Sequence, residues 1–189
     1  MKNFSWLLLA GALAAAPAAA QDKGLYAGGS VGQAEYADIC DDFSGVRTCQ
    51  DHDTGWRVFA GYNYNRNFAL ELGYAELGEA AVESPGLAFV SRVTGFDLSA
   101  LFSFGIADRL SLFGRLGAYR MRTAVDFSVG GVPGDDGETN TGFTYGAGLG
   151  YQLGKLGLRA EWQHWDNVGG GTTGEETIDL YSVGLLWRF

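Results

Sequence analysis

The stretch Phe68-Ala69-Leu70-Glu71-Leu72-Gly73-Tyr74 alternates without a break. Phe68, Leu70, Leu72 and Tyr74 fall on one side of an extended chain, and Ala69, Glu71 and Gly73 on the other. Successive strand side chains point to opposite faces, so a period of two denotes a strand with one apolar face and one small or charged face. Gly142 to Leu153 repeats the pattern, with Phe143, Tyr145, Ala147, Leu149, Tyr151 and Leu153 against Thr144, Gly146, Gly148, Gly150 and Gln152. The last stretch sets Tyr181, Val183, Leu185, Trp187 and Phe189 against Ser182, Gly184, Leu186 and Arg188. Worked outward, the alternation predicts eight strands, roughly 24–36, 54–64, 68–78, 90–104, 109–124, 140–153, 156–166 and 177–189. No segment carries an i, i+3, i+4 stripe over three turns, so the predicted class is all-β.

The connections alternate in length. Asn65-Arg66-Asn67, Gly105-Ile106-Ala107-Asp108 and Gly154-Lys155 are short, while Ala37–Asp53, Glu79–Ala88, Val125–Glu138 and Asn167–Glu176 are long. Short turns at one rim, long loops at the other and an even strand count describe a transmembrane, up-and-down antiparallel β-barrel.

Composition agrees. The 189 residues include 30 glycines, more than twice the usual share of about 7%, but only 3 prolines, and the glycines follow no period of three. Collagen and Pro-rich disorder are excluded. With 47% apolar and 14% aromatic residues, so is a solvated disordered chain. A net charge of -9 argues against a nucleic-acid binder, which needs a basic face.

Residues 1–20 read as a signal peptide. Lys2 supplies the positive start, Trp6 to Ala16 the apolar run, and Ala18-Ala19-Ala20 a small-residue cleavage site before Gln21. Residues 21–189 are then the barrel domain. Export to an oxidising compartment favours a loop-closing disulfide between Cys40 and Cys49, the only two cysteines. A zinc site would need more ligands than these two thiols and His52 supply.

A soluble barrel of lipocalin type would turn the large apolar face inward around a ligand. Its wet surface would then be the Gly, Ala and Ser face, which suits the crowded lumen of an eight-stranded barrel far better. Aromatics such as Tyr62, Tyr64, Phe68, Tyr74, Phe102, Phe104, Tyr151, Trp162 and Trp187 cluster near strand ends, as the girdles at two membrane interfaces do. The four long connections hold fourteen acids, Asp166 counted at the edge of the last, against Arg47 alone. Solvated loops explain them, and bridging by divalent cations to anionic lipopolysaccharide is the functional alternative.

These residues resemble the OmpA-type outer-membrane barrels. Gly61-Tyr62-Asn63-Tyr64-Asn65, Leu70-Glu71-Leu72-Gly73-Tyr74 and Leu77-Gly78 resemble that family's second hairpin. Leu110 to Gly117 is similar to its fifth strand, and Leu158-Arg159-Ala160-Glu161-Trp162-Gln163 to its seventh. Tyr181, Val183, Leu185, Trp187 and Phe189 resemble the terminal signal read by the outer-membrane assembly machinery. The resemblance implies a porin-like member in the bacterial outer membrane. Since the sequence ends at Phe189, the peptidoglycan-binding domain of larger members is expected to be missing.

On the predicted register Arg57, Glu71, Asp97, Arg115, Arg159, Glu161 and Arg188 point inward. The resemblance implies a lumen charge network, matched here at Glu71, Arg115, Arg159 and Glu161, with Leu101 and Gly150 standing where the family pattern has charges. Such a network reads as a packed polar plug, or else as a narrow ion path. Inward Phe113, Arg115, Tyr119 and Met121 are bulky, and inward Gly146, Gly148 and Gly150 leave room beside them.

Catalytic signals are sparse. His52 and His164 are the only histidines, and no G-x-S-x-G elbow occurs. His164-Trp165-Asp166-Asn167 resembles the H-x-S-N stretch of outer-membrane lipid A deacylases, but Asp166 occupies the Ser position and His164 falls on the lipid-facing series. The expectation is a monomeric, non-enzymatic barrel without cofactor or metal. Its partners would be outer-membrane lipid, lipopolysaccharide and the assembly machinery, and its role envelope integrity or surface interaction through acidic loops. A small diffusion channel and a lipid-modifying enzyme are the alternatives.

Overall fold

The computed structural model describes residues 23–37, 48–50, 52–84, 87–129, 132–170 and 174–189. All the regular elements among them are strands: β1 (Gly24–Tyr36), β2 (Thr48–Gln50), β3 (His52–Asn63), β4 (Phe68–Ser84), β5 (Leu87–Gly105), β6 (Leu110–Val129), β7 (Val132–Leu153), β8 (Leu156–Gly170) and β9 (Gly174–Arg188). From β3 to β9 each strand pairs antiparallel with the next, and β1 pairs with both β3 and β9. That closes an eight-stranded barrel. β2 adds a short extension against the far end of β4, through Thr48↔Glu83 to Gln50↔Ala81.

The stagger of the ladder fixes the barrel's shape. Stepping between directly paired residues from Glu35 on β1 leads through Asp179, His164, Tyr145, Leu116, Ala100, Leu70 and Tyr62 and returns to β1 at Leu25. A shift of ten residues in eight strands implies a tilt of roughly 40° and a backbone radius of about 8 Å. The row descends about 25 Å along the axis, the height of the apolar band on an outer-membrane barrel. All nine residues face outward. Glu35, Asp179 and His164 form its polar top, and Tyr145 to Leu25 its apolar remainder.

The inside–outside assignment follows the alternation. Leu70, Leu72, Phe96, Leu98, Leu116, Phe143, Tyr181 and Val183 are exposed on the outer wall, Phe143 at 71% and Val183 at 64%. Such a wall is at home in lipid, where every backbone group pairs within the closed ladder. The five residues of the terminal series, Tyr181, Val183, Leu185, Trp187 and Phe189, all lie on this wall. Residues 64–67, 106–109 and 154–155, together with both ends of the barrel chain, mark the periplasmic rim.

Three of the four long connections are mostly strand. β4 runs on to Ser84, β6 to Val129 and β8 to Gly170, while β5, β7 and β9 begin at Leu87, Val132 and Gly174. Only residues 85–86, 130–131 and 171–173 separate these pairs. The hydrophobic period fades there because both faces leave the membrane. The backbone still needs partners for each N–H and C=O, so the hairpins continue upward. Residues 1–22 and 38–47 lie outside the described residues, and with them the signal peptide and the proposed partner Cys40.

Candidate functional site

Within the barrel, small residues on one strand make room for large ones on the next. Gly28 faces Phe59, Gly61 faces Tyr26, Gly142 faces Tyr119 and Gly148 faces Phe113, each as a direct cross-strand pair. A Cβ at Gly142 would lie 2.5 Å from the Tyr119 hydroxyl and one at Gly148 2.5 Å from Phe113 Cζ. At Gly73 the same space holds the Arg57 guanidinium. The glycines of the inner face are therefore sockets, which the sequence implied for β6 and β7 and which recur on β1, β3 and β4.

Those sockets let six charged residues share one layer at mid-barrel. Arg57 comes from β3, Glu71 from β4, Asp97 from β5, Arg115 from β6, and Arg159 and Glu161 from β8; each is 8% exposed or less. Glu71 is the hub. Its Oε1 accepts from Arg57 Nη1 at 2.8 Å and Arg115 Nη2 at 2.5 Å, and its Oε2 from Arg159 Nη1 at 2.9 Å and Tyr26 Oη at 2.8 Å. Asp97 receives a two-pronged contact from Arg57, Nε at 2.9 Å and Nη2 at 2.8 Å, plus Arg115 Nη1 at 3.2 Å and Ser99 Oγ at 3.1 Å. Glu161 Oε1 lies 2.6 Å from Arg115 Nε. The N–H there does not aim at the oxygen, so this contact is an ion pair without a hydrogen bond. Three guanidiniums meet three carboxylates, and the layer is neutral. Charges so far from water are tolerated only when paired and hydrogen-bonded in this way.

Apolar layers sit on both sides of the charges. Toward the periplasm lie Tyr26, Phe59, Ala69, Leu101, Phe113 and Leu186. The Arg159 guanidinium rests 4.7 Å from the Phe59 ring centroid and 5.0 Å from that of Phe113, joining the two layers by cation–π contact. Toward the outer rim lie Tyr36, Leu77, Val93, Tyr119, Met121, Trp165, Val168, Ile178 and Leu180 among others. The lumen is thus not polar throughout, which departs from the expected polar plug. Leu101, which stands where the family pattern has a charge, belongs to the lower apolar layer.

Arg188 departs from its expected place. It follows the inward series, but β9 ends there, and the side chain is exposed at the periplasmic mouth beside Asn63, Ser111 and Gln152. Among the described residues it makes no ion pair with the acids of the charge layer, and it lines the mouth pocket together with Tyr26, Phe113, Arg159 and Leu186. Tyr26 and Ser99, by contrast, belong to the network without carrying charge. Their signal was present in the inward series, where a tyrosine or serine alternates with glycine or leucine.

Two tyrosines fasten the outer end. β4 bulges between Glu76 and Glu79, with Gly78 at φ 79°, and β8 between Trp165 and Val168, with Asn167 at φ 55°. Tyr36 Oη donates to the carbonyl of Leu77 at 3.0 Å, and Tyr119 Oη to that of Asp166 at 2.5 Å. Each bulge leaves ladder groups unpaired, and these hydroxyls satisfy them.

His164 lies on the outer wall. Its Nδ1 is 2.8 Å from Asp179 Oδ1, which also accepts from Trp162 Nε1 at 2.7 Å, and the Tyr145 ring stacks beside it with centroids 4.5 Å apart. Among the described residues no hydroxyl or thiol shares a hydrogen bond with this imidazole.

The chain matches the family model described as "OmpA-like transmembrane domain" over residues 20–189. It is 29% identical over 185 residues to Outer membrane protein A of Salmonella typhi, covering 96% of this chain and 53% of that protein. To the Shigella flexneri protein of that name it is 28% identical, with the same coverage. The chain therefore spans about half the length of these relatives. Among solved structures, the neisserial surface protein NspA aligns with a TM-score of 0.61 at 18% identity, over 88% of this chain and 97% of that one. Ail of Yersinia pestis aligns with a TM-score of 0.57 at 18% identity, over 88% and 99%. The chain belongs to the family of OmpA-like transmembrane domains, closed antiparallel β-barrels of the bacterial outer membrane.

Proposed function

We propose that this barrel is a non-enzymatic envelope protein whose lumen is closed and whose outward hairpins make its contacts. One observation carries the reading. The three arginines and three acids of the mid-barrel layer pair with one another and lie between two apolar layers. An ion path would need water beside those charges, and an eight-stranded barrel is only wide enough for its own side chains. The role is then mechanical and interfacial: a stable element in the outer membrane, presenting acidic hairpins to the outside.

The same reading takes outer-membrane lipid and lipopolysaccharide as partners, the assembly machinery as the reader of the Tyr181–Phe189 series, and a monomer as the working unit. It takes residues 1–20 as a removed signal peptide and Cys40–Cys49 as a local loop bond. The test is planar-bilayer recording of the purified, folded protein. No steady conductance steps are expected; reproducible steps that persist after repurification would assign a diffusion channel instead.

A further inference from the structure

We propose that His52, Glu35 and Asp179 bind a divalent transition-metal ion of the zinc class at the outer end of the barrel seam, with His164 as a positioning residue behind Asp179. The ladder carries the inference. Glu35 on β1 is directly paired with His52 on β3 and with Asp179 on β9, and Asp179 in turn with His164 on β8. Directly paired residues share a face, so His52, Glu35, Asp179 and His164 form an unbroken row in that order across four strands of the outer wall. The chain's only two histidines, remote in sequence, thus stand on either side of two acids.

Glu35 and Asp179 carry like charge, and like charges directly opposite each other destabilise a sheet. A cation between them removes the repulsion. Zinc accepts imidazole nitrogen and carboxylate oxygen at about 2.0–2.2 Å. With strands about 4.8 Å apart, the Cα atoms of His52 and Asp179 lie roughly 10 Å from one another, a gap that an imidazole and a carboxylate can bridge through one ion. A cleft of about 340 Å³ lined by Glu35, Tyr36, Ala37, His52 and Asp179 leaves room for the ion and its waters. Among the described residues no three such groups already close on one centre. Binding therefore requires the exposed Glu35 and His52 side chains to change rotamer.

Asp179 is held ready. His164 Nδ1 lies 2.8 Å from its Oδ1, and Trp162 Nε1 donates to the same oxygen at 2.7 Å. Neither contact uses Oδ2, which stays available to an ion. Ligating carboxylates are ordinarily fixed by outer hydrogen bonds of this kind, so His164 acts through Asp179. An imidazole in the set favours zinc-class ions over calcium and magnesium, which take oxygen ligands. In the sequence His52 had only two thiols for company; the closed ladder gives it two carboxylates. No hairpin joins β1 to β9, so an ion here clips the seam where the barrel closes.

The experiment titrates the folded, untagged protein in detergent micelles with Zn²⁺ or Ca²⁺ by calorimetry, and counts imidazoles on bound Cu²⁺ by pulsed electron paramagnetic resonance. One Zn²⁺ per chain is expected, held at least about tenfold tighter than Ca²⁺. E35Q and H52Q should each weaken it by about tenfold or more, and H164Q by about tenfold, the usual cost of a lost outer partner. D136N/E138Q, in the acidic hairpin of β6 and β7, should leave it unchanged. The Cu²⁺ signal should show one imidazole, absent in H52Q and kept in H164Q, which separates the ligand from the positioning residue. Heat-modified gel mobility checks the folding of each variant. No saturable Zn²⁺ binding, or binding that survives E35Q and H52Q unweakened, overturns the site. Calcium bound as tightly overturns the zinc-class assignment, and two imidazoles on copper overturn the positioning role of His164.

Discussion

Phe113 on β6 and Gly148 on β7 form a direct cross-strand pair, and the Phe113 ring fills the space that a side chain at position 148 would need. The backbone carbonyl of Ala160 closes the other side of that space. Gly148→Leu must therefore displace a ring or a strand, at a cost of roughly 1–3 kcal/mol. Urea unfolding in lipid vesicles should show a lower midpoint. Phe113→Ala in the same chain should recover part of the loss, because the two positions compete for one volume. An unchanged midpoint for Gly148→Leu would remove the socket account.

Glu71 accepts hydrogen bonds from three guanidiniums and one tyrosine. Glu71→Ala would leave Arg57, Arg115 and Arg159 with two carboxylates between them. Removing one partner of a buried ion cluster costs roughly 3–5 kcal/mol. The expected result is the largest single loss of stability in the lumen, with Asp97→Ala somewhat smaller because Arg57 and Arg115 still share Glu71. A vesicle-based urea midpoint for Glu71→Ala equal to that of the wild type would show that the layer is not stabilised by its pairing.

The strand series and the inward charges were legible because the membrane imposes one rule on every strand it contains. Apolar groups must face lipid, so a period of two reports orientation directly at Leu70, Glu71 and Leu72. Above the membrane the rule lapses, and the continuation of β4 to Ser84 or β7 down from Val132 left no hydrophobic signature. The upper lumen hid for a different reason. Met121, Trp165, Ile178 and Leu180 are apolar residues on the inward series, and nothing in a single strand says that several such residues from different strands share one height. The stagger of ten residues brings them together, and stagger belongs to the closed ladder rather than to any strand. Arg188 was misplaced because alternation gives a face, not a depth.

Tyr36 and Tyr119 each donate to a carbonyl at an outer bulge, so Tyr36→Phe and Tyr119→Phe should loosen the extracellular hairpins more than the barrel. Each lost hydrogen bond is worth about 0.5–1.5 kcal/mol. Hydrogen exchange should quicken along the outer half of β4 in the first variant and of β8 in the second, while amides at mid-barrel stay protected. Equal acceleration throughout either variant would mean that the bulges are coupled to global unfolding.

His164 gives the remaining prediction, and it is negative. Ester cleavage requires a nucleophile, a base within about 3 Å of it, and donors for the oxyanion. The imidazole here is already engaged by Asp179, 2.8 Å away, and stacks on Tyr145 at the outer wall. Asp179 resembles the orienting member of a hydrolytic triad, but the described residues offer no hydroxyl or thiol in hydrogen bond with the ring. Asp166, at the position where the deacylase pattern has a serine, is a carboxylate and gains no nucleophilic power by losing a proton to histidine. His164→Ala should leave Asp179 its bond from Trp162 Nε1 at 2.7 Å and lower stability by no more than about 1.5 kcal/mol. Lipid A from cells overproducing the wild-type barrel should carry its full set of acyl chains, as should lipid A from cells producing His164→Ala. Loss of an acyl chain in the first but not the second would make this histidine a catalytic base and the barrel an enzyme.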